Sequence, residues 1–480
     1  MATLQATAPD SAGADPALVN FSVRLPGIAL LMAGALVLRL ALAYLPGFGV
    51  DIGTFQAWAN SMAANGPSNF YNETSFTDYA PGYMYILWII GEAHQQFHFT
   101  GDQFFYVIKI PAIIADMASL WLLYKLLEGQ TPATRLGAVT IYALFPAALL
   151  IGPVWGQVDS ILAFFLLLSV YYIGRDKPVH GAVAFTVGFL VKPQAIAALP
   201  FLAFWIVRDR IEWRKLGASN LKLPALKDPA TLALCIVVPM AVLLILIAPF
   251  FRFEPWRLIE VLNDSTNVEN YRVNSFWAYN FWNFGGLYDQ GFRCDLQSGC
   301  PNADATEWFG IATRYWGLAF FVTGIALVTF SLRNARGIGF LALGTALCVM
   351  VFYLFLTRMH ERYMFAAFLP FLAAAVIINS RLIWGAFTAL SFAHFVNLYH
   401  VFGYYYPNWN PDDGEPSIRW EWAFRWIEKG DFFGADLPLF GRLETVQLFS
   451  MLMVAVFVSM IVWVWFRVDQ GRIGRRAGTT

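Results

Sequence analysis

Charge is what this sequence has least of. Only 13% of its 480 residues are Asp, Glu, Lys or Arg, about half the share found in an ordinary soluble domain. Bases and acids number 32 each, so the formal net charge is zero, which gives no basis for nucleic-acid binding. Cysteine is scarce, at four residues. Cys235 and Cys348 fall inside apolar runs and read as core residues. Cys294 and Cys300 stand close together in a polar loop, where an oxidising compartment would let them pair. No Cys/His set has the spacing of zinc ligands. No Lys or Arg precedes Arg24, so the first apolar run reads as a retained helix and not as a cleaved signal peptide. No internal repeat is visible, which counts against an inverted-repeat transporter.

Apolar residues fill the space that charge leaves. The chain is 58% hydrophobic and 17% aromatic, with a mean hydropathy of +0.54. Long apolar runs recur throughout without the alternation of a β-barrel, which predicts an all-α polytopic membrane protein lodged in a lipid bilayer. Twelve membrane helices are expected, near 27–45, 105–127, 136–152, 158–174, 179–192, 194–208, 230–250, 309–332, 337–357, 363–379, 382–401 and 444–466. Residues 1–24 read as a disordered cytoplasmic tail, 25–466 as the membrane domain and 467–480 as a basic cytoplasmic tail.

Basic residues in short loops set the orientation. Arg175 and Lys177, the segment 208–227, Arg333 and Arg336, and the C-terminal arginines all fall on one side, the cytoplasmic side, in the twelve-helix reading. The stretch 46–104, with five acids and no Lys or Arg, then lies outside. The segment 82–98 would invert everything after it if it crossed, so it reads as an interfacial or re-entrant helix on the outer face. Three large loops, 46–104, 251–308 and 402–443, elaborate that face.

Ionisable groups at membrane depth are expensive and usually functional. Asp51 follows the first helix. Asp78 and Tyr79 precede the interfacial helix. Gln157 and Asp159 lie in GPVWGQVDS, and Lys192 and Gln194 flank the joint at Pro193. His360, Glu361 and Arg362 interrupt one of the most apolar stretches of the chain, in TRMHERY. Singly, each has a plain reading as a cap, a snorkelling lysine or a solvated connector. Together they converge on one membrane face. A carboxylate there can act as general base, and Lys and Arg can hold a phosphate. Aromatic and amide-rich loops suit a sugar. A lipid-phosphate-linked sugar fits this set. Arg39 and Asp116 lie deeper, where a buried charge wants a partner.

These motifs, in this order, resemble the polyprenyl-phosphate-sugar-dependent glycosyltransferases of the GT-C superfamily. Val50-Asp51 to Trp58, Asp78-Tyr79-Ala80-Pro81, Lys192-Pro193-Gln194, Asn280-Phe281-Trp282 and His360-Glu361-Arg362 are most similar to the glucosyltransferases of family 57. Trp155-Gly156-Gln157 with Asp159 is similar to bacterial family 87 mannosyltransferases. The resemblance implies an inverting transfer of a hexose from a polyprenyl-phosphate donor to a hydroxyl of a glycan, lipid-linked or protein acceptor. Asp51 would be the base, Lys192 and Arg362 would meet the phosphate, and His360 would stand beside them. It implies no cofactor. The alternative is a divalent cation shared by Asp51 and Asp159. A transporter or lipid flippase is the competing class, and it would carry its charges near the midplane.

Overall fold

The computed structural model describes residues 16–73, 77–215, 222–267, 272–283, 303–405, 435–437, 441–443 and 445–468. Cys294, Cys300, residues 1–15, the tail from 469 and most of the loop 402–443 lie outside them. Helix dominates. In chain order α1 is Pro16–Ala43, α2 Gly49–Asn65, α3 Pro67–Glu73, α4 Pro81–Phe97, α5 Gly101–Leu126 and α6 Pro132–Ala143. A short α7, Pro146–Leu149, runs into a π-helical turn at Leu150–Trp155. Then come α8, Asp159–Gly174, and α9, Pro178–Val191; a 3-10 stretch, Pro193–Ala198, leads into α10, Leu199–Arg208. α11 is Pro229–Phe251, α12 Arg257–Asn267, α13 Thr313–Ser331, α14 Ile338–Phe355, α15 Phe365–Ile378, α16 Arg381–Tyr405 and α17 Thr445–Val468.

The start signals are local. Proline opens α4, α6, α9 and α11, where its missing N–H costs nothing. Thr100 and Gln103 form a reciprocal capping box on α5, and Asp228 accepts from the Thr231 N–H on α11.

Among the described residues, six helices are long and apolar enough to cross a membrane: α5, α11, α13, α14, α16 and α17. The pair α6 and α7 with its π turn, bent by 46°, makes a seventh if it is one span. Five more apolar helices are shorter, among them α8, α9 and α15 at 16, 14 and 14 residues. This marks an all-helical, multi-pass membrane protein. α14 and α15 are apolar on every side and almost wholly buried, as central helices should be. α1, α11 and α13 instead turn Val37, Ile236, Ile245 and Val322 outward, as helices facing lipid do.

Each expected span has a helix near it, and three differences stand out. α1 starts at Pro16, inside the stretch read as a tail. The expected outer loop 46–104 is mostly helix, α2 to α4, with α4 packed on α2 and α9. The basic segment contains a hairpin, β1 (Ile211–Lys215) antiparallel to β2 (Lys222–Leu226). Of the remaining short strands, β3 (Ser275–Phe276) matters most. β4 (Glu307–Trp308) and β5 (Ile311–Ala312) pair antiparallel further along the chain, and β6 (Met359–His360) runs parallel to β3. That pairing fastens the loop after α12 to the connector between α14 and α15.

Candidate active site

The carboxylate of Asp51 sits in the first turn of α2, where the helix dipole favours negative charge. The π turn holds it there. The indole N–H of Trp155 donates to Asp51 Oδ2 at 2.7 Å, and the Trp155 carbonyl accepts from the Phe48 N–H at 3.0 Å. Gly156 closes the turn with φ +95°, a left-handed conformation that side chains resist, and a Cβ there would press on Ile52 at 2.8 Å. Behind this loop the buried Lys109 of α5 donates to the carbonyls of Ala43 and Leu45, at 3.0 and 2.6 Å.

Gly82 brings the second acid into place. A Cβ on Gly82 would meet the backbone of Leu190 and Val191 at 2.5–2.7 Å, so only glycine lets the start of α4 press on the end of α9. Asp78 and Tyr79, just ahead of α4, are thereby set beside Lys192. The Tyr79 hydroxyl donates to Gln157 Oε1 at 3.2 Å, and the Tyr79 ring lies 5.5 Å from Lys192 Nζ.

The cations come with counter-ions. Lys192 Nζ is 2.8 Å from Asp159 Oδ1, with both side chains almost fully buried. Arg362 Nη1 donates to the buried Glu361 at 2.9 Å, and His360 Nδ1 lies 3.7 Å from the same carboxyl group. Burial pushes the Glu361 carboxyl up, but Arg362 and His360 outweigh it and hold that carboxyl down at about 2. Burial, joined by the Arg362 charge, pushes His360 below its ordinary value. The buried Arg362 Nε and Asp159 Oδ2, and Gln194 Oε1, have no hydrogen-bond partner among the described residues, leaving polar atoms for a ligand to meet.

These side chains border two adjoining spaces. The larger is a cleft with about 650 Å³ of empty volume, lined by Asp51, Asp78, Tyr79, Gln157, His360 and Arg362, with Trp58, Trp155, Phe276 and Trp277 among its aromatic walls. The smaller, about 230 Å³, is lined by Asp78, Tyr79, Lys192, Pro193, Gln194, Arg362 and Tyr363. Asp78, Tyr79 and Arg362 are the shared wall. Of the residues singled out in the sequence, all but Asp159 and Glu361 line one or both spaces, and those two hold the cations that do. Arg39 and Asp116 pair elsewhere, fully buried, at 2.8 Å.

Sequence reasoning missed Lys109 and Trp277, and it named Trp155 only within a motif, without its hydrogen bond to Asp51. Trp277 lines the Asp51 cleft from a strained backbone, φ +64°. Asn397 of α16 donates to the Trp277 carbonyl at 2.8 Å and accepts from the Tyr353 hydroxyl at 2.7 Å. Tyr279, two residues on, donates its N–H to Tyr353 and Asn397 and shares a 2.7 Å hydrogen bond with His400. No family model matches the chain, and no curated protein is significantly similar to it.

Proposed function

We propose that the chain is a membrane glycosyltransferase of GT-C architecture, with about twelve membrane-spanning helices, both termini cytoplasmic and the site at the outer face. It moves a hexose from a polyprenyl-phosphate sugar to an acceptor hydroxyl. One observation carries this reading: an aromatic-walled cleft bearing Asp51 lies next to a chamber bearing Lys192, with Asp78, Tyr79 and Arg362 lining both. Sugar chemistry suits the first space, and a phosphate anion suits the second.

In this reading Asp51 takes the proton of the acceptor hydroxyl as its oxygen attacks the anomeric carbon from the face opposite the leaving group. The bond to the phosphate oxygen breaks, and the released negative charge is met by Arg362 and Lys192. A phosphate leaves without a general acid, so one carboxylate suffices and the anomeric centre inverts. A divalent cation shared by Asp51 and Asp159 would lie close to the Lys192 ammonium that Asp159 already holds, and their like charges would repel, which makes a metal-free transfer the better fit.

Asp51→Asn should lower transfer by about 10²–10⁴-fold in a reconstituted assay with defined polyprenyl-phosphate sugars, while donor binding persists. Near-normal turnover would remove Asp51 as the base. Lys192→Ala and Arg362→Ala should weaken donor affinity, and unchanged affinity in both would sink the phosphate assignment.

A further inference from the structure

The cluster carries more negative than positive charge. Asp51, Asp78, Asp159 and Glu361 face Lys192 and Arg362, with His360 pushed toward its neutral form. Asp159 is matched by Lys192, Glu361 is matched by Arg362, and Asp51 accepts from Trp155. Asp78 has no cation within ion-pair distance among the described residues. Yet it borders both spaces and is the one carboxylate lining the smaller chamber. An anion held between Lys192 and Arg362 would lie against it, and two adjacent anions in a dry site repel strongly.

We propose that Asp78 takes up a proton from solvent when an anionic phosphodiester enters the smaller chamber, so that a neutral acid faces the bound phosphate. This rests on the donor reading above. A protonated carboxyl is a hydrogen-bond donor, which converts the repulsion into a contact. The surroundings favour it. Burial pushes Asp78 up to about 6, against the lowering pull of Arg362 and Lys192 and with Asp51 adding to the rise. Tyr71 of α3, the adjacent Tyr79, and Tyr363 in the same chamber wall are the phenols around it; burial, with the Asp78 charge adding to it, pushes Tyr71 and Tyr79 up, so they stay neutral. An incoming anion acts in the same direction as Asp51. Donor binding is therefore strongest below about pH 6 and weakens above it, by up to about tenfold per pH unit.

The test is equilibrium binding of polyprenyl-phosphate-glucose, a phosphodiester whose charge is constant across the range, to the full chain in nanodiscs from pH 5 to pH 8. The wild type should lose at least about tenfold in affinity between pH 6 and pH 8. Asp78→Asn, a fixed neutral isostere, should bind at pH 8 about as tightly as the wild type at pH 5, with a flat profile. A flat wild-type curve overturns the proposal, and that arm needs no variant to fold. An undiminished slope in Asp78→Asn, or in Asp78→Ser should the first variant misfold, assigns the proton to another group such as His360 and also overturns it. No wild-type binding at any pH overturns the donor reading itself, an outcome distinct from tight binding without pH dependence.

Discussion

Trp155 serves Asp51 twice, through its indole N–H and through the carbonyl that receives Phe48. Removing the indole donor takes a charge-assisted hydrogen bond from the carboxylate, about 1.5–3 kcal/mol, or roughly 10- to 150-fold if it is expressed in the transition state. Trp155→Phe keeps the ring's apolar contacts with Phe48 and Phe402. It should therefore lower kcat by that factor and leave the donor KM within about twofold, whereas loss of fold would move both. At this scale the ionisable residues were legible and the role of Trp155 was not. A carboxylate or lysine inside an apolar run is costly, so its presence announces a use. Tryptophan belongs in a membrane protein, and nothing in the sequence separates an interfacial ring from one whose N–H serves a carboxylate. Lys109 was missed for a different reason: its partners are backbone carbonyls 64 and 66 residues away, which no local pattern reveals.

Elements, not only side chains, assemble the cleft. α16 carries Asn397 and His400 on one face, and through them it grips the Trp277–Tyr279 loop. Asn397→Ala would remove one hydrogen bond to the buried Trp277 carbonyl, a cost of about 1–3 kcal/mol, and loosen the hold on the strained backbone. The thermal midpoint should fall by several degrees. KM for the sugar-bearing donor should rise, while binding of sugar-free polyprenyl phosphate holds, because Trp277 lines the larger space and not the smaller one. Equal loss of both ligands would argue against this division. Helix existence was legible from apolar runs and proline starts. The helices α2 and α3 were hidden, because their sequence is neither long in apolar run nor strongly periodic and their order comes from tertiary packing. The 46° bend at α6–α7 was hidden too, since a π turn has no simple pattern in sequence.

For the whole molecule, the expected side of each loop is the claim most open to direct measurement. In a chain cleared of its four cysteines, a cysteine at the exposed Lys177 should react with an impermeant maleimide only after sealed cells are opened. One at the exposed Asn72 should react before. The reverse pattern would turn the molecule over and undo the one-face argument. The bundle has one further property that follows from helix length. α8 and α9 supply Asp159 and Lys192 at their ends, and α15 follows Arg362; they have 16, 14 and 14 residues. At 1.5 Å per residue they span about 21–24 Å, against about 30 Å of hydrocarbon. In the proposed orientation, with their inner ends at the cytoplasmic surface, the polar cluster would lie about 6–9 Å beneath the outer one. On the proposed reading, a lipid phosphate would have to sink by that distance below the headgroup plane to reach Lys192 and Arg362.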